Sequence, residues 1–206
     1  MLSLGAKNSG ALEPSLVSSQ LLPQLFLGYD QDTAPAAILD VGTGGSHTLE
    51  AFAFYRSKVY FLDLFAQSIP QQGSNKRQQA YAHRAFTEAL SDCRGVVFDL
   101  CLFWELLQEL TEPALRGLSS ALQPFLGPSS RGYAVGQIFA DAQGQGWRYR
   151  IEDAQQLARW PLDAASQPKF ADGWSQFEFA GQFDCLQVTA DRLGPDGRLE
   201  LLFAPK

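Results

Sequence analysis

The chain has 206 residues, 46% of them hydrophobic and 12% aromatic, enough to bury one substantial core in a single globular domain. A formal net charge of -6 and a pI near 4.9 argue against a protein that tracks phosphate backbones, so no nucleic-acid partner is expected. The three cysteines, Cys93, Cys101 and Cys185, form no C-x-x-C pair, which disfavours a structural zinc; their odd number favours a reducing compartment.

The opening "MLSLGAKNSGALEPSL" lacks the basic and long apolar regions of a secretory leader. No stretch approaches the roughly 18 apolar residues of a membrane span. The expectation is a cytoplasmic protein with no membrane partner. Residues 1–35 read as a helical lead-in, from the spacing of Leu16, Val17, Leu21, Leu22, Leu25 and Phe26, with Pro23 set to break or kink it. Ala36 to Val41 follows as a buried strand ended by glycines, and Ser46 is placed to cap a helix carrying Leu49, Phe52 and Ala53 on its apolar face.

"VYFLDLF" is apolar but for Asp63, the pattern of a strand buried on both faces in a parallel sheet. Arg77 to Leu90 fits a helix or a short strand, and its basic stretch "NKRQQAYAHR" reads as a solvated face. "GVVFDLCLFW" is a third strand. In the helical stretch after it, Pro113 suits the first turn of a new helix. "GPSSRG" is expected as a loop, "YAVGQIFA" as a further strand, and residues 140–176 as an irregular insertion with one helix near "DAQQLARW". "GPDG", between two apolar runs, marks a terminal hairpin. Strands alternating with helices define the fold class: α/β, a doubly wound and mostly parallel Rossmann-like sheet with a C-terminal antiparallel hairpin and helices on both faces, over residues 36–206.

In such a sheet, ligands bind beyond the carboxyl ends of the strands, where "DVGTGGS" turns. Glycines let a backbone approach its ligand closely, and a following helix offers unpaired N–H groups. The dinucleotide fingerprint G-x-G-x-x-G begins at Gly42 and Gly44 but meets His47 where its third glycine belongs. Asp63, about twenty residues on, closes the next strand at the place from which an acid receives ribose hydroxyls. The plain alternative is a tight turn capped by Asp40, with Asp63 paired locally.

"ILDVGTGGS", then "VYFLDLF", then "FDLCLFWELLQEL" resembles the class I S-adenosylmethionine-dependent methyltransferases in the order and separation of the motifs, and the terminal hairpin resembles that family's last two strands. The resemblance implies S-adenosylmethionine as cofactor. It implies Asp40, Gly42 and Gly44 around the methionine end, Asp63 on the ribose and Leu64 beside the adenine. Glu88 would be the polar residue that in that family follows its own third strand and contacts the adenine amine, while Phe103, Trp104 and Glu105 would line the transfer site. Ser46 replaces the last glycine of the family's turn, and no N-P-P-Y-type tetrapeptide follows the fourth strand.

Methyl transfer from a sulfonium is an in-line displacement that alignment alone can drive. Where the acceptor needs a base, Glu105 is the catalytic candidate and His47 a second, though an acid opening a helix is more usually there for the dipole. Trp104, Trp147, Trp160 and Trp174 either wall an acceptor pocket or fill a loop-rich core. The expected acceptor is a small molecule or a protein. A non-catalytic binding or scaffold module and a nicotinamide-dependent oxidoreductase stand as alternatives.

Overall fold

The computed structural model describes residues 14–27, 37–42, 46–53, 55–63, 75–104, 110–137, 147–161, 181 and 183–206. The main sheet is built from β2 (Ala37–Gly42), β3 (Lys58–Asp63), β4 (Phe98–Trp104), β5 (Leu126–Gln137), β8 (Leu186–Leu193) and β9 (Arg198–Pro205). Their order is β3-β2-β4-β5-β9-β8. The first four are parallel, β9 is antiparallel to β5, and β8 and β9 form the hairpin around "GPDG". The chain leaves β2 for β3 on one side and returns to β4 on the other, so the order reverses between β2 and β4.

Successive side chains of a strand point to opposite faces, and here both faces are covered. Leu39, Val41, Cys101 and Phe103 enter a core with Phe86 and Leu118, supplied by α3 (Asn75–Ala89) and α4 (Glu112–Leu122). These helices cross closely at Gly117, where an added Cβ would lie 2.7 Å from the Ala82 Cβ and 2.7 Å from the His83 backbone nitrogen. Ile38, Leu100, Leu102, Trp104, Tyr133 and Val135 enter a second core. It is covered by the short helices α1 (Leu22–Phe26) and α2 (Ser46–Ala51) and by a small antiparallel sheet ordered β1-β7-β6. Those strands are β1 (Ser15–Ser18), β6 (Trp147–Ile151) and β7 (Gln156–Pro161).

Several sequence expectations are corrected. The lead-in is a strand followed by a helix: Ser15–Ser18 pairs with β7, and Pro23 occupies the first turn of α1, where its missing N–H costs nothing. The helix expected near "DAQQLARW" is β7, because pairing with β1 on one side and β6 on the other overrides the helix propensity of Gln, Leu, Ala and Arg. "GPSSRG" lies within β5 rather than in a loop, its register shifted between Phe98 and Leu100. Ser130 fixes that irregularity by donating to the Phe98 carbonyl at 2.6 Å while accepting from the Gly127 amide at 2.8 Å.

β3 is not buried on both faces. It is one of the two edge strands of the main sheet among the described residues, and Phe61 is 44% exposed. Leu49, expected on the buried side of α2, is 48% exposed, whereas Phe52 is buried. The stretch left open between helix and strand is the helix α3. Among the described residues no third strand stands between β3 and β4.

The two sheets are tied together by buried polar groups. Glu200 on β9 accepts from the Ser19 hydroxyl and, at 3.1 Å, from the Tyr133 hydroxyl. Its other oxygen lies 3.2 Å from Arg198 Nε. Arg198 donates to the Ser18 carbonyl at 2.9 Å, and Asp196 is shared between Arg198 at 3.6 Å and Arg159 of β7 at 2.9 Å. Arg159 and Arg150 also stack over Trp147 and Trp160, at 4.2 Å and 4.1 Å from the ring centroids. A buried carboxylate is tolerated only when it is paired and hydrogen-bonded, and Glu200 meets that condition.

Candidate functional site

β2, β3 and β4 end level with one another. In the β2–β3 ladder Gly42 lies opposite Asp63, and in the β2–β4 ladder Val41 lies opposite Phe103, so Trp104 follows beside Gly42. With neighbouring strands about 4.8 Å apart, Asp63 and Trp104 flank Gly42 across about 10 Å of sheet edge. This edge is the reversal point of the strand order, where the crevice of a doubly wound sheet opens.

Trp104 explains the glycine. A Cβ on residue 42 would lie 2.9 Å from the Trp104 Cβ, closer than real contacts allow, and a tight 3.2 Å from its Cδ1. Trp104 is itself buried, edge-on to Tyr133 with centroids 6.2 Å apart. It serves as the wall of β2 rather than as an exposed platform. Phe103 points to the opposite face and packs on Phe183 and Phe203 at 5.6 Å and 6.0 Å.

Asp40 lies one turn of the pleat before Gly42 and is 1% exposed. Thr48, near the start of α2, donates its hydroxyl to one carboxylate oxygen. The other, Oδ1, has no hydrogen-bond partner among the described residues. Burial pushes the Asp40 carboxyl up from 3.8 to about 6, against the opposing pull of the Thr48 hydroxyl and the Trp104 side chain. A buried carboxylate oxygen stays costly until a donor or cation meets it, and none of the described residues does so here.

Asp63 is exposed at the strand end, as a group that receives ligand hydroxyls must be. Glu88 is elsewhere. It sits on the exposed face near the end of α3, and α3 runs back toward the start of β3: Cys93, just beyond it, interacts with Lys58. Glu88 therefore lies at the amino end of the strands, opposite Gly42 and Asp63. Its assignment depended on a third strand, and the helix α3 crosses there instead. Gly44, Leu64 and Glu105 fall outside the described residues, as do Trp174 and the side chain of His47.

Three residues of this region escaped sequence reasoning. Thr48 carried a readable signal, eight residues after Asp40 and on the helix that follows the turn. Tyr133 and Glu200 carried none, since only the ladders reveal that Trp104, Val135 and Glu200 fall in one row across β4, β5 and β9. Among the described residues, no group of His, Cys, Asp and Glu is arranged to hold a metal ion. No helix among them is long and apolar enough to cross a membrane.

No protein-family model matches the chain, and no curated protein matches it. Solved structures do. One assigned as a type 11 methyltransferase from Sulfolobus solfataricus aligns with a TM-score of 0.50 and 16% identity, over 90% of this chain and 89% of that one. The Burkholderia thailandensis 1,6-didemethyltoxoflavin-N1-methyltransferase, solved with 1,6-didemethyltoxoflavin and S-adenosylhomocysteine, gives 0.49 and 17%, over 91% and 77%. The pyocyanin biosynthetic protein PhzM gives 0.49 and 12%, over 90% of this chain and 54% of its own; the chain spans about half the length of that protein. At 16% identity the likeness to the Sulfolobus protein shows the fold alone, a Rossmann-like α/β sheet.

Proposed function

We propose that the chain is an S-adenosylmethionine-dependent methyltransferase acting on a small-molecule or protein acceptor. The observation that carries this reading is the level edge of β2, β3 and β4. There an exposed acid, Asp63, stands level with Gly42 at the strand ends, close to a buried acid, Asp40, one of whose oxygens meets no donor among the described residues. Fold alone does not give chemistry; this arrangement adds groups suited to the cofactor.

Asp63 would receive the ribose hydroxyls, and Asp40 with Gly42 would border the methionine end, where a carboxylate suits an ammonium group. When bound, the cofactor supplies a methyl group activated on a sulfonium. The chain's own contribution is orientation. Thr48 fixes the Asp40 rotamer and Trp104 buttresses Gly42. For an acceptor that carries a proton, Glu105 would be the base; Leu64 and Gly44 would complete the cofactor contacts.

Calorimetric titration with S-adenosylmethionine, S-adenosylhomocysteine and NAD tests the reading. Micromolar binding of the first two and none of NAD is expected, with Asp63→Ala losing it while unfolding at nearly the wild-type midpoint, because surface substitutions change stability by only about 0.5 kcal/mol. Binding of NAD instead would overturn the proposal. Cofactor binding without methyl transfer to any screened acceptor would make the chain a binding module on the same fold.

A further inference from the structure

A continuous run of contacts leads from the segment 15–27 to the glycine turn. The Ser19 hydroxyl accepts from the Leu22 amide at 2.9 Å and from the Leu21 amide at 3.2 Å, fixing the start of α1. It donates in turn to Glu200. The same Glu200 oxygen accepts from Tyr133 at 3.1 Å. Burial holds the Tyr133 phenol far above its usual titration range, so it stays a donor. The Tyr133 ring meets Trp104 at an interplanar angle of 73°, and Trp104 abuts Gly42. Tyr133 and Glu200 are almost wholly buried, so neither is placed there to contact solvent or ligand.

We propose that Ser19, Glu200 and Tyr133 form a buried positioning chain that holds Trp104 against the Gly42 turn, so that the seating of segment 15–27 governs ligand affinity at the edge of β2, β3 and β4. This rests on the reading of that edge as the S-adenosylmethionine site. Packed interiors transmit such constraints because a close-packed ring has few alternative positions. Tyr133 is the point of convergence: its hydroxyl is set by Glu200 and its ring by Trp104. A connected set of contacts becomes coupling only when perturbing one end is felt at the other.

The test compares Tyr133→Phe and Ser19→Ala with Leu118→Ala, which cuts into the core on the opposite face of the sheet. Two quantities are read: the affinity for S-adenosylhomocysteine, and the Trp104 emission, isolated by subtracting the spectrum of the matching Trp104→Phe variant. Tyr133→Phe and Ser19→Ala are expected to weaken binding about three- to tenfold, the worth of one buried hydrogen bond, and to shift the emission. Leu118→Ala lowers stability yet leaves both within about twofold. In a double-mutant cycle, Ser19→Ala in the Trp104→Phe background loses most of its effect on affinity. Independent effects in that cycle, or an emission unchanged in Tyr133→Phe, would overturn the proposal. If the wild type binds neither S-adenosylmethionine nor its product, the functional reading fails, and the emission of Tyr133→Phe and Ser19→Ala alone still decides the positioning chain.

Discussion

Asp40→Asn separates what the site costs the fold from what it contributes to binding. The carboxyl is 1% exposed, and burial, the dominant cause, raises it from 3.8 to about 6. Between those values the native state keeps a proton that the unfolded chain has released, so stability falls as pH rises through the window and levels off above it. At about 1.36 kcal/mol per pH unit, the ionised form costs the native state about 3 kcal/mol above pH 6 relative to below 3.8. Asparagine preserves an acceptor for the Thr48 hydroxyl and cannot ionise. Its amide carries a penalty of its own, about 1–3 kcal/mol if a donor is left unmet, but that penalty does not vary with pH.

The expected result is therefore a difference of slopes. Urea midpoints measured from pH 4 to pH 8 should show the variant gaining about 2–2.5 kcal/mol on the wild type between the two ends, most of it between pH 4 and pH 6. The other carboxylates titrate alike in both proteins and cancel. Two parallel stability curves would refute the reasoning, because they would mean that Asp40 meets enough donors in the folded state to ionise freely. The companion measurement is affinity. The variant should bind S-adenosylhomocysteine more weakly at pH 7.5 while being relatively more stable there, the trade expected where a binding group is kept at the expense of the fold.

Gly42→Ala should displace Trp104, lowering stability by about 1–3 kcal/mol and altering tryptophan emission; an unchanged spectrum would show that the ring is not wedged against the turn. Gly117→Ala places its Cβ 2.7 Å from a backbone nitrogen of α3 and should cost a similar ~1–3 kcal/mol in urea melts, with ligand affinity within about twofold of wild type. Glu200→Ala leaves the buried Arg198 without one of its two acidic partners and should lower stability by about 3–5 kcal/mol, whereas Glu200→Gln, which keeps acceptors for Ser19 and Tyr133, should lose less; equal losses would show that the charge of Glu200, not its hydrogen bonds, holds the two sheets together.

What could be read from the sequence was set by how local each signal is. β2 and β4 announce themselves because a strand buried on both faces cannot hide its composition, and the level positions of Gly42 and Asp63 are legible because each closes a strand that the composition marks. β7 misled because its residues favour a helix in isolation, and its partners lie far away in the chain: Ser15 faces Arg159 across 144 positions. β3 misled in the other direction, since apolar composition does not say whether both edges of a strand are paired. Glu88 lies apart from this edge for a topological reason: its role needed a preceding strand, and among the described residues the helix α3 carries the chain back across the sheet there instead.

The same limit hides the polar network. Ser19 and Glu200 are 181 positions apart, and neither residue carries a motif; a serine before α1 reads as a helix cap, and Glu200 reads as the solvent face of a strand. The strand alternation in "RLELLFAP" invites that second reading, yet Glu200 is 2% exposed, because β1, β6 and β7 cover a face that a simple hairpin would leave to water. An acid on that face is retained at a cost unless something uses it, since a well-packed apolar group of similar volume would serve stability at least as well. Its geometry, reaching Ser19 on one side and Tyr133 on the other, gives it a use that an apolar residue cannot supply: fixing one tyrosine, and through it one tryptophan, in a single orientation beside the turn where the ligand is expected.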